Sequence, residues 1–112
     1  MSEVVVLASL VARPGKEAEA EEFLLDLVAS AHGEEGCVLF ALHRGADDPR
    51  RLAFVERWAS RDLLERHLAG EHLQNALQRA GQLFSQAPDI TVYEAVPGGQ
   101  DDKGSLSGNA GG

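Results

Sequence analysis

One short apolar run constrains this chain more than anything else in it, because the run has no polar side. From Glu3 to Val11 the residues are almost all valine, leucine or alanine. A run of that length bounded by Arg13-Pro14-Gly15 reads as a β-strand. Side chains alternate across a strand, so Val4, Val6, Ala8 and Leu10 share one face while Val5, Leu7, Ser9 and Val11 share the other. Both faces are apolar, and each needs a cover.

The rest of the chain supplies one cover. From Lys16 the period changes: Ala20, Phe23, Leu24, Leu27, Val28 and Ala31 recur at three and four, and Glu17, Glu19, Glu21, Glu22 and Asp26 take the opposite side. That pattern predicts an amphipathic helix, with acids near its start and Gly33 and Gly36 at its end. Cys37 to Arg44 and Arg51 to Ala59 read as two strands joined by the turn formers Gly45-Ala46-Asp47-Asp48-Pro49, hence a hairpin. Ser60 is a candidate N-cap for a short helix in which Leu63, Leu64, His67 and Leu68 share a side. Gly70 interrupts it, the helical period resumes at Leu73 and runs to about Ser85, and a last strand follows from Ile90 to Val96.

The order βαββαβ is the ferredoxin-like α+β plan, a four-stranded antiparallel sheet with its helices on one face. With helices for only one face, the second apolar face predicts a homodimer joined sheet to sheet. The 112 residues allow one domain, about 1–96, and the glycine-rich stretch 97–112, with Leu106 its only large apolar residue, reads as a flexible tail. A net charge of −8 disfavours nucleic acid, anionic membrane and highly anionic substrates. No stretch approaches a membrane span and the first residues, Met1-Ser2-Glu3, are acidic, so a cytoplasmic protein is expected. Cys37 is the only cysteine, which rules out an internal disulfide or a cysteine-based zinc cluster and leaves it a packing role.

Polar residues at positions patterned for burial are the candidates for chemistry. Glu56 shares its strand face with Phe54 and Trp58, His67 lies among leucines, and His72 opens the next helical segment beside Leu73. A buried carboxylate needs a partner, so Glu56 reads either as half of an ion pair with a neighbouring arginine or with His67, or as an orienting or basic carboxylate. His67 and His72 read either as satisfied structural histidines or as proton acceptors at a pocket. Trp58 reads as core whose indole N–H is free to reach a cavity, while His43 and Arg44 read as solvated edge residues.

Taken together, Glu56-Arg57-Trp58-Ala59-Ser60, His67-Leu68 and Glu71-His72-Leu73, preceded by Arg13-Pro14-Gly15-Lys16 and Glu34-Glu35-Gly36-Cys37, resemble the antibiotic biosynthesis monooxygenase family over residues 4–96. The likeness is closest to its small quinol monooxygenase type. The resemblance implies a dimeric α+β barrel with a pocket between sheet and helices in each subunit. It also implies several possible activities: cofactor-free oxygenation of phenols and hydroquinones, haem degradation, or sugar-phosphate isomerisation. The haem-degrading type carries an asparagine, a tryptophan and an iron-ligating histidine where this chain has Ala8, His67 and Leu77, so that branch is not expected. Phe40 stands where many quinol-type relatives have a tyrosine.

What the resemblance implies is an oxygenase without metal or flavin, in which a hydroquinone or polyhydroxylated aromatic is itself the reductant of O₂. His67 or His72 would be the base and Glu56 would orient it, with Phe40, Phe54, Trp58 and Leu64 against the substrate. The alternatives are an isomerase or decarboxylase-like activity using the same histidines, or a binding protein without turnover.

Overall fold

Alternation along the first strand sets the layers. The computed structural model describes residues 2–106. Its elements are β1 (Val4–Val11), α1 (Glu17–His32), β2 (Cys37–Arg44), β3 (Arg51–Trp58), α2 (Arg61–Ala69), α3 (Glu71–Arg79), a short 3₁₀ turn (Ala80–Gln82) and β4 (Asp89–Tyr93). The strands form one antiparallel sheet in the order β2-β3-β1-β4, as the ferredoxin-like plan requires.

Val4, Val6, Ala8 and Leu10 of β1 and Leu52, Phe54, Glu56 and Trp58 of β3 are all buried on the face that the helices cover, packed with Ala20, Leu24 and Ala31 of α1 and Leu64 of α2. The opposite face carries Leu7, Val55 and Ala41 side by side across three strands, and Leu7 is 43% exposed. The sequence required two apolar faces; the fold identifies which one the helices take.

Local chemistry explains the helix ends. The Ser60 hydroxyl accepts a hydrogen bond from the Leu63 amide at 3.2 Å and caps α2, and Gly70 both ends α2 and begins α3. Two expected boundaries move. The helical period was expected to reach Ser85, but α3 stops at Arg79. Arg13 takes the Gly81 carbonyl with its side chain and the Leu83 carbonyl with its amide, and Ala12 bridges Phe84, so these carbonyls serve the end of β1 instead of another helical turn. The last strand ends at Tyr93 rather than Val96, which is 91% exposed, because its pairing runs along β1 only from Ser9 to Val5. Of the expected tail, Lys103 and Gly104 donate backbone hydrogen bonds to Gln100 and Leu106 is exposed, while residues 107–112 lie outside the described residues.

Candidate active site

Glu56 occupies the centre of β3, on the helix-covered face. Its lateral neighbours are Val6 of β1 and Phe40 of β2, and along its own strand Phe54 and Trp58 share that face. The residue is 5% exposed, and the one hydrogen bond of its side chain among the described residues comes from the Trp58 indole, Nε1 donating to Oε1 at 2.9 Å. No arginine, lysine or histidine among the described residues pairs with it, so neither expected ion pair forms. Burial pushes the carboxyl up to about 7; the Trp58 hydrogen bond works in the opposite direction, and the nearby Glu34 charge adds to the rise.

His67, in the last turn of α2, is 6% exposed. Its ring stacks on Trp58 with centroids 4.5 Å apart and meets Phe40 edge-on at 5.6 Å. Nδ1 lies 3.0 Å from both carboxylate oxygens of Glu34. A carboxylate only accepts, so Nδ1 carries a proton and donates it to Glu34, and Nε2 makes no hydrogen bond to the protein among the described residues. Glu34 reaches this position through the turn after α1. There Gly36 has φ +87°, and a Cβ on it would stand 2.6 Å from a methyl of Leu63, so only glycine lets α2 pack this close to the turn.

Phe40, Phe54, Glu56 and His67 converge on one cavity of about 50 Å³, closed by Phe23 and Leu24 of α1, Leu73 and Leu77 of α3, Phe84 and Ile90. Glu56 and His67 are the polar side chains in an otherwise apolar lining. A cavity that holds benzene measures about 150 Å³, so an aromatic ring must displace side chains to enter. Leu77 of α3 and Ile90 of β4 belong to that lining and are 38% and 40% exposed. Among the described residues no group of three or more His, Cys, Asp or Glu side chains is placed to hold a metal ion.

Four of the seven residues singled out from the sequence therefore meet: Phe40, Phe54, Glu56 and His67. Trp58 and Leu64 are fully buried and do not line the cavity, and Trp58 bonds Glu56 and stacks on His67. His72 is exposed on α3 and does not line the cavity. Glu56, expected to orient the histidine, makes no hydrogen bond with His67; Glu34 does. Its sequence signal was the Glu34-Glu35-Gly36-Cys37 turn, but nothing local marks an acid after a helix as facing inward.

A model of the family described as antibiotic biosynthesis monooxygenase matches residues 3–79. Among solved structures, PA3566 from Pseudomonas aeruginosa is 26% identical with a TM-score of 0.79, over 86% of this chain and 96% of its own. Rv0793 from Mycobacterium tuberculosis is 27% identical with a TM-score of 0.79, over 87% of this chain and 98% of its own. An antibiotic biosynthesis monooxygenase crystal structure, 24% identical, shares the fold with a TM-score of 0.77, over 84% of this chain and 99% of its own. No curated protein matches significantly. On the match that spans β1 to α3, the chain belongs to the antibiotic biosynthesis monooxygenase family.

Proposed function

We propose that the protein is a monooxygenase that oxidises a hydroquinone or polyhydroxylated aromatic with O₂, the substrate supplying the electrons and no metal or flavin taking part. The observation that carries this is His67: a buried imidazole on the wall of an apolar cavity, with Nδ1 held by Glu34 and Nε2 free. Nε2 takes the proton of a substrate hydroxyl, and the Glu34 carboxylate stabilises the imidazolium that forms. The resulting anion passes an electron to O₂ and the two radicals recombine on the ring. One oxygen atom stays on the carbon, the other leaves as water, and a hydroquinone ends as a hydroxyquinone. Phe40 and Phe54, packed on each other with ring centroids 4.7 Å apart, form one aromatic wall that keeps water from the reacting carbon.

Oxygen uptake with hydroquinones, measured on metal-free and flavin-free protein with chelator present, tests the proposal. His67→Ala should lower the rate roughly a hundredfold, the usual scale for a general base, and Glu34→Gln should lower it by a similar factor. The double variant should lose little more than the worse single one, because the pair acts as a unit. Full activity in His67→Ala would remove the mechanism. An aromatic ligand that raises Tm but is recovered unchanged would make the protein a binder instead.

The same proposal includes a second copy of the chain on the outer sheet face. Leu7, Val55 and Ala41 form an apolar centre there, bordered by the Arg57–Glu3 ion pair. A single chain leaves this face without cover.

A further inference from the structure

Glu56 has a part in the cavity that orientation of His67 does not explain. Glu34 already holds the imidazole, so a second carboxylate is redundant for that task. One Glu56 oxygen is occupied by the Trp58 indole, the side chain has no cation partner among the described residues, and it borders the cavity beside His67. An ionised carboxylate enclosed by Val6, Phe40, Phe54 and Trp58 would be stranded in apolar surroundings, whereas the protonated acid places a donor against a bound molecule.

We propose that Glu56 acts as a neutral acid that donates a hydrogen bond to an oxygen of the substrate, so that the site selects ligands carrying an acceptor oxygen in addition to the hydroxyl that His67 deprotonates. This rests on His67 as the base. When Nε2 of His67 removes the hydroxyl proton from a ligand whose second oxygen is a carbonyl conjugated with the ring, negative charge spreads through the ring onto that carbonyl oxygen. The Glu56 O–H strengthens its hydrogen bond there, without transferring its proton. A phenol with one oxygen meets only half of the site.

The groups facing Glu56 agree with a neutral acid. Burial is the main cause that pushes its carboxyl up to about 7, and the charge of Glu34 from the turn before β2 adds to it. Cys37 on β2 is pushed up by burial and by the charges of Glu34 and Glu56, so it brings no cation-like relief. His67 on α2 directs Nδ1 at Glu34.

Trp58 provides the test, since it is the only tryptophan and touches both groups, bonding Glu56 and stacking on His67. In ligand-free protein its fluorescence should titrate with a midpoint near the value of about 7 given by burial of Glu56. The step should persist in His67→Gln and vanish in Glu56→Gln. In the wild type, the carbon-13 shift of the Glu56 carboxyl should move with the same midpoint, a measurement that needs no substitution. Binding of 4-hydroxyacetophenone and of 4-ethylphenol, its analogue without the carbonyl, gives the second arm. The ketone should bind about tenfold tighter at low pH, the scale of a buried hydrogen bond, and lose that advantage as Glu56 ionises. In Glu56→Gln, whose amide still donates, the advantage should no longer change with pH beyond ionisation of the probe itself.

A carboxyl midpoint near 4.5, a step that vanishes in His67→Gln, or equal binding of the two probes at low pH would each overturn the proposal. The Glu56 titration and probe preference can hold while no hydroquinone drives oxygen uptake; then the oxygenase reading fails and Glu56 remains a ligand-binding acid. Oxygen uptake without the titration leaves the oxygenase and removes this role.

Discussion

A single carboxyl in the wrong solvent connects stability to pH in this protein. Glu56 ionises near 4.5 in an exposed setting and at about 7 in the fold. Between those values the folded chain holds a proton that the unfolded chain has released. Stability therefore falls as pH rises through that window and levels off above it. From pH 5 to pH 8 the loss from this one group should be about 2–3 kcal/mol. Urea unfolding of the wild type and of Glu56→Gln at both pH values checks this: the difference in their pH slopes should be of that size, and parallel slopes would show that Glu56 is not the cause. The burial on which the proposed role of Glu56 depends therefore works against the stability of the native state at neutral pH.

At the scale of elements, turns and helix ends control the site more than the helices themselves. Gly36, at φ +87°, has three Leu63 side-chain atoms within 3.0 Å of where a Cβ would stand. Gly36→Ala should cost about 1–3 kcal/mol by strain and by displacing α2. It should also lower turnover, because the same turn carries Glu34 to His67. Gly81→Ala is the control: a Cβ there meets nothing within 4 Å, so Tm should change little or rise. Thermal melts of the two variants decide it, and equal effects would deny the Gly36 turn its special part. The α3 helix is a lightly anchored side of the cavity. Its one buried residue is Ala76, it begins at Gly70 without a side-chain cap, and it reaches α1 through the Arg79 guanidinium lying 5.3 Å from the Phe23 ring centre.

For the whole molecule, the two sheet faces should respond differently to charge. Val55 lies on the outer face between Leu7 and Ala41, and Val6 lies fully buried on the inner one. Val55→Asp should turn a dimer into a folded monomer, while Val6→Asp should fail to fold, since an unpaired charge in the core costs several kcal/mol. Sedimentation at micromolar concentration with circular dichroism separates the outcomes, and a wild-type monomer there would remove the dimer altogether. No helix of the described residues is long and apolar enough to cross a membrane.

How much of this was legible in the sequence follows the range of the forces involved. Strand alternation and helical period are local, so the element order, the hairpin, the Ser60 cap and the Gly70 break could be read from neighbouring residues, and with them the ferredoxin-like plan. The same patterns put Phe54, Glu56 and Trp58 on one face of β3 and His67 on the leucine side of α2, because a residue's face is set by its phase in its own element, while the fold decided that this sheet face is the one the helices cover. Phase could not rank His67 against His72. The break at Gly70 turns the chain between them, and only packing decides which helix keeps its histidine inside. Nor did local pattern mark Glu34, thirty-three positions before His67, or show that Trp58 would bond Glu56 and stack on His67 instead of lining the cavity. The end of α3 depended on Arg13 reaching Gly81 across sixty-eight positions. Sequence determined which residues share a face; tertiary structure alone decided which face turns inward and which residues meet, because a hydrogen bond or ring contact depends on distance in space and leaves no periodicity along the chain.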